Sequence, residues 1–178
     1  MTVTPRQIAI VAPSGYATDA VAYERGLQHL RELGHTVHDL SATYARHQRF
    51  AATDEERVAQ LHAAAAHPAA EIVLALRGGY GLSRLLPQID FSLLAESGKL
   101  FVGHSDFTAL QMGLLTKGAV SLAGPMICDD FSRVDPSEFT HRHFWQAVNE
   151  ASFSIAVSAG GNPNFTVEVF DAGGQFFF

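Results

Sequence analysis

The run Lys99-Leu100-Phe101-Val102-Gly103-His104-Ser105-Asp106-Phe107 decides how this chain is read. Apolar residues 100–102 stop at a glycine, and Phe107, Leu110, Leu114 and Leu115 then recur at helical spacing. An apolar run that passes without a linker into that spacing predicts a buried strand turning directly into a helix. The same grammar repeats on both sides. Residues 8–12 form a β-branched run that ends at Pro13-Ser14-Gly15. After it, Thr18 or Asp19 can cap a helix carrying Tyr23, Leu27 and Leu30, with Gly34 as its stop. Residues 36–38 predict a second strand. Thr53-Asp54-Glu55-Glu56 is a capping box, in which hydroxyl and carboxylate satisfy each other's backbone donors ahead of Val58 and Leu61.

Further along, residues 71–76 predict a strand that runs into Arg77-Gly78-Gly79-Tyr80-Gly81, and residues 82–86 and 91–95 predict short helical pieces. Residues 120–123 predict another strand and 136–149 a helix with Phe139, Phe144, Trp145 and Val148 among its apolar positions. Strands alternating with helices require crossover connections, hence an α/β domain with a largely parallel sheet covered by helices on both faces. Residues 153–157 and 165–170 predict two further strands, and the chain stops at Phe176-Phe177-Phe178. Three exposed terminal aromatics would make a contact surface.

Composition narrows the function. With 178 residues, 47% hydrophobic and 17% charged, the chain has apolar material for a real core and is not a disordered segment. A formal charge of -6 argues against a non-specific nucleic-acid binder. One cysteine, Cys128, supports neither an internal disulfide nor a cysteine zinc site. No stretch has the roughly 18–20 apolar residues of a membrane span, and residues 8–12 are too short for a signal-peptide core. The expectation is a cytoplasmic protein with no membrane and no nucleic-acid partner.

Two loops at carboxyl ends of predicted strands carry the candidate chemistry. Ser105, lifted on a sharp strand-to-helix turn, would stand in front of a helix N-terminus whose backbone N–H groups can stabilise an oxyanion. Phe107 stands where the second glycine of the G-x-S-x-G pattern would be. The plain alternative is a cap, with Ser105 or Asp106 bonding first-turn amides. The three glycines of the 77–81 loop would let its backbone approach a ligand closely, as a substrate lip or second oxyanion donor. Lacking G-K-[ST], it is not a phosphate loop, and its alternative is a tight turn. The nine histidines show no metallopeptidase spacing; His141 and His143 would point apart on a helix, so no metal is expected. His104, adjacent to Ser105, is poorly placed as its base because neighbouring residues leaving a strand face opposite ways. Cys128, followed by Asp129-Asp130, is expected to be a buried structural thiol.

Together, Val11-Ala12-Pro13-Ser14-Gly15, Thr53-Asp54-Glu55-Glu56-Arg57 with Leu61-His62-Ala63, Arg77-Gly78-Gly79-Tyr80-Gly81 and Gly103-His104-Ser105-Asp106 resemble, in that order, the LD-carboxypeptidases of serine peptidase family S66. That family includes muramoyltetrapeptide carboxypeptidase and the microcin C self-immunity peptidases. The resemblance covers residues 5–150, with an echo to about 169. It implies a flavodoxin-like or class I glutamine amidotransferase-like N-terminal domain, no metal or organic cofactor, and a cytoplasmic enzyme removing the terminal D-alanine from a muropeptide in cell-wall recycling. It further implies Ser105 as nucleophile and the backbone N–H groups of Asp106 and Gly79 as oxyanion hole. Arg77, Gly78, Tyr80 and His104 would line the substrate site. The family takes the Glu and His of its triad from a C-terminal domain, entered through a Trp-Gly-Gly-Asn segment. Here Phe170-Asp171-Ala172-Gly173-Gly174-Gln175 holds that place, and no residue of this chain can be assigned as triad Glu or His.

The expected organisation is therefore a nucleophile domain over 1–150, with 151–178 as linker strands and a truncated entry to an absent second domain. A chain without its base is expected to be inactive alone. It would expose the surface where that domain docks, and so self-associate or bind a complementary chain. Two other readings stay open. One is a non-catalytic module that holds a peptide or anion at the same loops. The other is an unrelated flavodoxin-like or amidotransferase-like domain.

Overall fold

Residues 7–11, 36–39, 72–75, 100–103 and 121–123 pair into one parallel sheet, in a computed structural model that describes residues 4–41, 46–150, 152, 153 and 155. The strands are β1 (Gln7–Val11), β2 (Thr36–Asp39), β3 (Ile72–Ala75), β4 (Leu100–Gly103) and β5 (Ser121–Ala123). Their spatial order is β2-β1-β3-β4-β5, with every pairing parallel. Among the described residues five α-helices form the crossovers and flanks: α1 (Ala20–Glu32), α2 (Asp54–Ala66), α3 (Phe91–Glu96), α4 (Thr108–Leu115) and α5 (Glu138–Asn149). This is the α/β architecture expected, in the order of the flavodoxin-like sheet.

Period two along the strands divides the core. Ala9, Val11, Val73, Ala75 and Phe101 face the layer of α2, α3 and α4. Ile8, Ile10, Ile72, Leu74 and Val102 face Leu27 and Leu30 of α1 and Phe144 and Trp145 of α5. Both faces are buried, so all four β3 residues are inside and the strand reads as one apolar run.

The helix ends are chemically marked. Asp19 accepts from the Ala22 N–H at the start of α1. Thr53 and Glu56 close the expected capping box on α2. After α1, Gly34 takes φ +91°, a conformation that disfavours side chains. Two expected core positions lie outside the core: Leu115 is 44% and Phe139 47% exposed. Leu115 ends α4 just past the buried Leu110–Leu114 stripe, where the buried Gln111 takes a place the apolar spacing did not mark. Phe139 lies in the first turn of α5 and overhangs the end of β5, lining an apolar pocket with Leu122 and Phe144. The strands expected over 153–157 and 165–170, the terminal phenylalanines and the 151–178 linker lie outside the described residues, save 152, 153 and 155. Among the described residues no helix is long and apolar enough to cross a membrane.

Candidate active site

Three loops leave the carboxyl edge of the sheet side by side, after β1, β3 and β4. The last holds Ser105. Gly103 ends β4, His104 is extended, and residues Ser105–Phe107 make one 3-10 turn before α4. Ser105 is exposed and has φ +62°. For a residue with a side chain that conformation costs about 1–3 kcal/mol and persists only where the surroundings enforce it. Here the buried Phe107 anchors the start of α4, and Gln111 Nε2 donates to the Gly103 carbonyl at 3.2 Å. No side chain caps this turn, so the cap expected as the plain alternative is not what the structure contains. The Asp106 carboxylate points elsewhere.

It points across to the glycine loop. Asp106 Oδ1 accepts from the Gly79 N–H at 2.9 Å, and Oδ2 accepts from the Ser14 hydroxyl at 2.6 Å and the Leu82 N–H at 3.2 Å. Ser14 Oγ in turn accepts from the Gly81 N–H at 3.1 Å. One carboxylate and one buried hydroxyl thus tie the β1, β3 and β4 loops into a single knot. A Cβ on Gly78 would stand 2.7 Å from Ser105 Cβ and 2.8 Å from its Oγ, closer than real Cβ atoms come. Glycine at 78 is what lets the loop backbone lie against the serine. The Gly79 N–H, expected as an oxyanion donor, is already engaged by Asp106, whereas the Gly78 N–H bonds no acceptor among the described residues.

The β1 loop is held from behind by α2. The wholly buried Arg57 donates to the Pro13 carbonyl at 2.6 Å, pairs with Asp54, and lies 4.5 Å over the Phe50 ring. Gln60, also buried, accepts from the Ala12 N–H. Burial lowers the pKa of Arg57 and the Asp54 carboxylate beside it opposes that. Neither Arg57 nor Gln60 stands out in the sequence as part of a site, because both read as the polar side of an ordinary helix. Ser14 belongs to the 11–15 segment of the family pattern, but no spacing rule connects it to Asp106, 92 residues away.

A pocket of about 280 Å³ opens beside Ser105, lined by Arg77, Gly78, Gly79, Tyr80, His104 and Met126, with Asp129 at its rim. The expected substrate-lining residues Arg77, Gly78, Tyr80 and His104 all meet here. His104 Nε2 lies 3.1 Å from Asp129 Oδ2, turned to the rim. His141 and His143 are not in the pocket: His141 lies 3.3 Å from His29, and His143 packs on Phe139. Cys128 is half-buried, and burial pushes its thiol up to about 11. Among the described residues no His, Cys, Asp or Glu cluster could hold a metal ion.

Sheet order, strained serine and glycine loop together define an α/β domain that presents a serine at the carboxyl edge as serine hydrolases do. Residues 8–124 match the LD-carboxypeptidase N-terminal domain model of peptidase family S66, and the chain belongs to that family. It is 35% identical over 122 residues to a murein tetrapeptide carboxypeptidase of Pseudomonas aeruginosa, a match covering 67% of this chain and 39% of that protein. The crystal structure of a muramoyltetrapeptide carboxypeptidase from Oxalobacter formigenes superposes with a TM-score of 0.77 at 50% identity, covering 82% of this chain and 48% of that one. The microcin C7 self-immunity protein MccF, in complex with glutamyl sulfamoyl guanosine, shares the fold at 23% identity and TM-score 0.74, over 79% of this chain and 43% of its own. The chain thus spans less than half the length of these relatives.

Proposed function

We propose that this chain is the nucleophile-bearing domain of a serine LD-carboxypeptidase that removes a terminal D-alanine from muropeptides. The observation that carries the reading is Ser105: exposed, at φ +62° between β4 and α4, with Gly78 pressed against it. Attack of Ser105 Oγ on the scissile carbonyl moves an electron pair onto the carbonyl oxygen. The Asp106 N–H and a glycine-loop N–H receive that charge, and such donors are worth about 2.7–4 kcal/mol each. We assign the loop donor to Gly78 in place of Gly79. Collapse of the tetrahedral intermediate breaks the C–N bond, and D-alanine leaves once its nitrogen is protonated by a general acid. Hydrolysis of the acyl-serine then restores the enzyme.

The general base is the missing element. Among the described residues His104 is the only histidine of the pocket and faces Asp129, and no side chain hydrogen-bonds to Ser105 Oγ. In this reading the triad Glu and His come from the second domain of the family, and the chain alone is inactive. The reaction needs no cofactor and belongs in the cytoplasm, in peptidoglycan recycling. The domain would meet its complementary domain, or a second copy, across the exposed edge near Phe139. The same observation favours the second reading, a module that binds peptide without cleaving it. A fluorophosphonate reagent separates the two: adduct at Ser105, located by peptide mapping and absent from Ser105→Ala, supports a nucleophile. An unlabelled Ser105 in a chain supplied with the second domain supports the binding module.

A further inference from the structure

The glycine loop has a second side. Opposite the serine pocket, Gly78 and Gly79 also wall a cavity of about 240 Å³ with Gly15 and Tyr16 from the β1 loop and Arg49 and Phe50 from the segment before α2. Strand order runs outward in opposite directions from β1 and β3, so this cavity sits at the topological switch point of the sheet. There the loops after β1 and β3 diverge and leave the crevice that open α/β sheets use for ligands.

Its charge is the exception in an acidic chain. Five arginines approach its aromatic walls, and two of them are neutralised: Arg57 and Arg84 share Asp54. Arg46, stacked 3.9 Å over the Tyr16 ring, Arg49, 5.4 Å from the Phe50 ring, and Arg77 have no carboxylate within 4 Å among the described residues. Arg77 is pre-set. Its Nη1 donates to the Tyr16 carbonyl at 3.3 Å, and its guanidinium lies over Gly15, where a Cβ would come within 3.4 Å. A guanidinium has five N–H donors in a planar fork that matches a carboxylate. Arg77 lines both cavities, so it links the serine pocket to the cationic one.

We infer that the Arg49–Arg77 crevice is a carboxylate subsite, which holds an anionic group of the peptide while its scissile bond lies across Gly78 at Ser105. This rests on the peptidase reading for the identity of the ligand, but the charge argument does not depend on cleavage. Two carboxylates of an acidic peptide have this chemistry, the terminal one and a side-chain one, and the test separates them.

Three probes are titrated into the 178-residue Ser105→Ala chain: acetyl-Gln-D-Ala, acetyl-Glu-D-Ala-amide and acetyl-Gln-D-Ala-amide. Binding is followed by arginine Nε–H NMR signals. At least one carboxylate probe is expected to bind about tenfold or more tightly than the neutral amide. It should shift Arg49 and Arg77 and lose affinity as salt is raised. The stronger of the two identifies the source. Arg49→Gln and Arg77→Gln should each remove most of that preference with melting temperature unchanged; Arg84→Gln, paired to Asp54, should not. Equal binding of all three probes, no carboxylate-dependent shift, or full preference in the Arg49→Gln, Arg77→Gln double variant would overturn the subsite. Labelling of Ser105 by the fluorophosphonate in that outcome would leave the peptidase reading standing.

Discussion

Asp106→Ala removes the acceptor at the centre of the knot. Three donors lose their partner: Ser14 Oγ at 2.6 Å, the Gly79 N–H at 2.9 Å and the Leu82 N–H at 3.2 Å. Each hydrogen bond to a charged acceptor contributes about 1.5–3 kcal/mol when fully buried. Asp106 is half-buried and water can reach part of the loop, so about 1 kcal/mol per bond is the better scale, or about 3 kcal/mol together. That is a large fraction of the roughly 5–15 kcal/mol available to a domain, yet small enough for the variant to fold. Asp106→Asn keeps one acceptor oxygen and should lose about half as much. Ser14→Ala removes two bonds of the same chain, and the pair should couple by about 1 kcal/mol in a double-mutant cycle. Urea unfolding followed by the buried Trp145, the one tryptophan present, gives the energies. Hydrogen exchange at residues 77–82 gives the location. A loss below about 1 kcal/mol for Asp106→Ala, or unchanged exchange across that loop, would refute the knot.

Other outcomes follow from single contacts. Gly78→Ala puts a Cβ 2.8 Å from Ser105 Oγ, so it should cost about 1–3 kcal/mol and sharply slow Ser105 labelling in a chain supplied with the second domain; labelling at the unaltered rate would contradict the close approach. His35 is buried, stacks on Trp145 at 4.2 Å, and accepts the Arg6 N–H through Nδ1. Burial, helped by Arg6, lowers its pKa from 6.5, and burial, with His29 nearby, does the same at His141. Both fold unprotonated, so their contribution is complete above pH 6.5 and falls as pH drops from there through the folded-state values. His35→Phe should flatten that part of the stability–pH curve, measured by urea midpoints. Cys128, with its thiol at about 11, should alkylate with iodoacetamide at pH 8 roughly 100-fold more slowly than an unperturbed thiol, timed by intact mass.

Most of the fold was legible in the sequence because strand and helix patterns here are local. Residues 8–12, 72–76 and 100–102 are continuous apolar runs, since parallel strands buried on both faces need no polar side. The elbow was legible for the same reason, as an abrupt change of period at Gly103. What stayed hidden was long-range. The knot joins Ser14, Gly79 and Leu82 to Asp106, and Gly81 to Ser14, across three loops, and only the sheet order brings them together. The same contact engages the Gly79 N–H, and nothing local in the sequence tells Gly79, whose N–H faces a carboxylate, from Gly78. Leu115 and Phe139 fit an apolar spacing yet sit on the surface, because a helix terminus can carry an apolar residue past the edge of what it packs on. The burial of His35 is hidden for a similar reason; its ring is a core group only because Trp145 of α5 stacks on it.

The most direct test is release of D-alanine from a muropeptide tetrapeptide, with this domain supplied with the family's second domain and, in parallel, alone. The account requires release from the two-domain protein, abolished by Ser105→Ala, and no meaningful release from the 178-residue chain. Undiminished release by Ser105→Ala, or robust Ser105-dependent release by the chain alone, would contradict it.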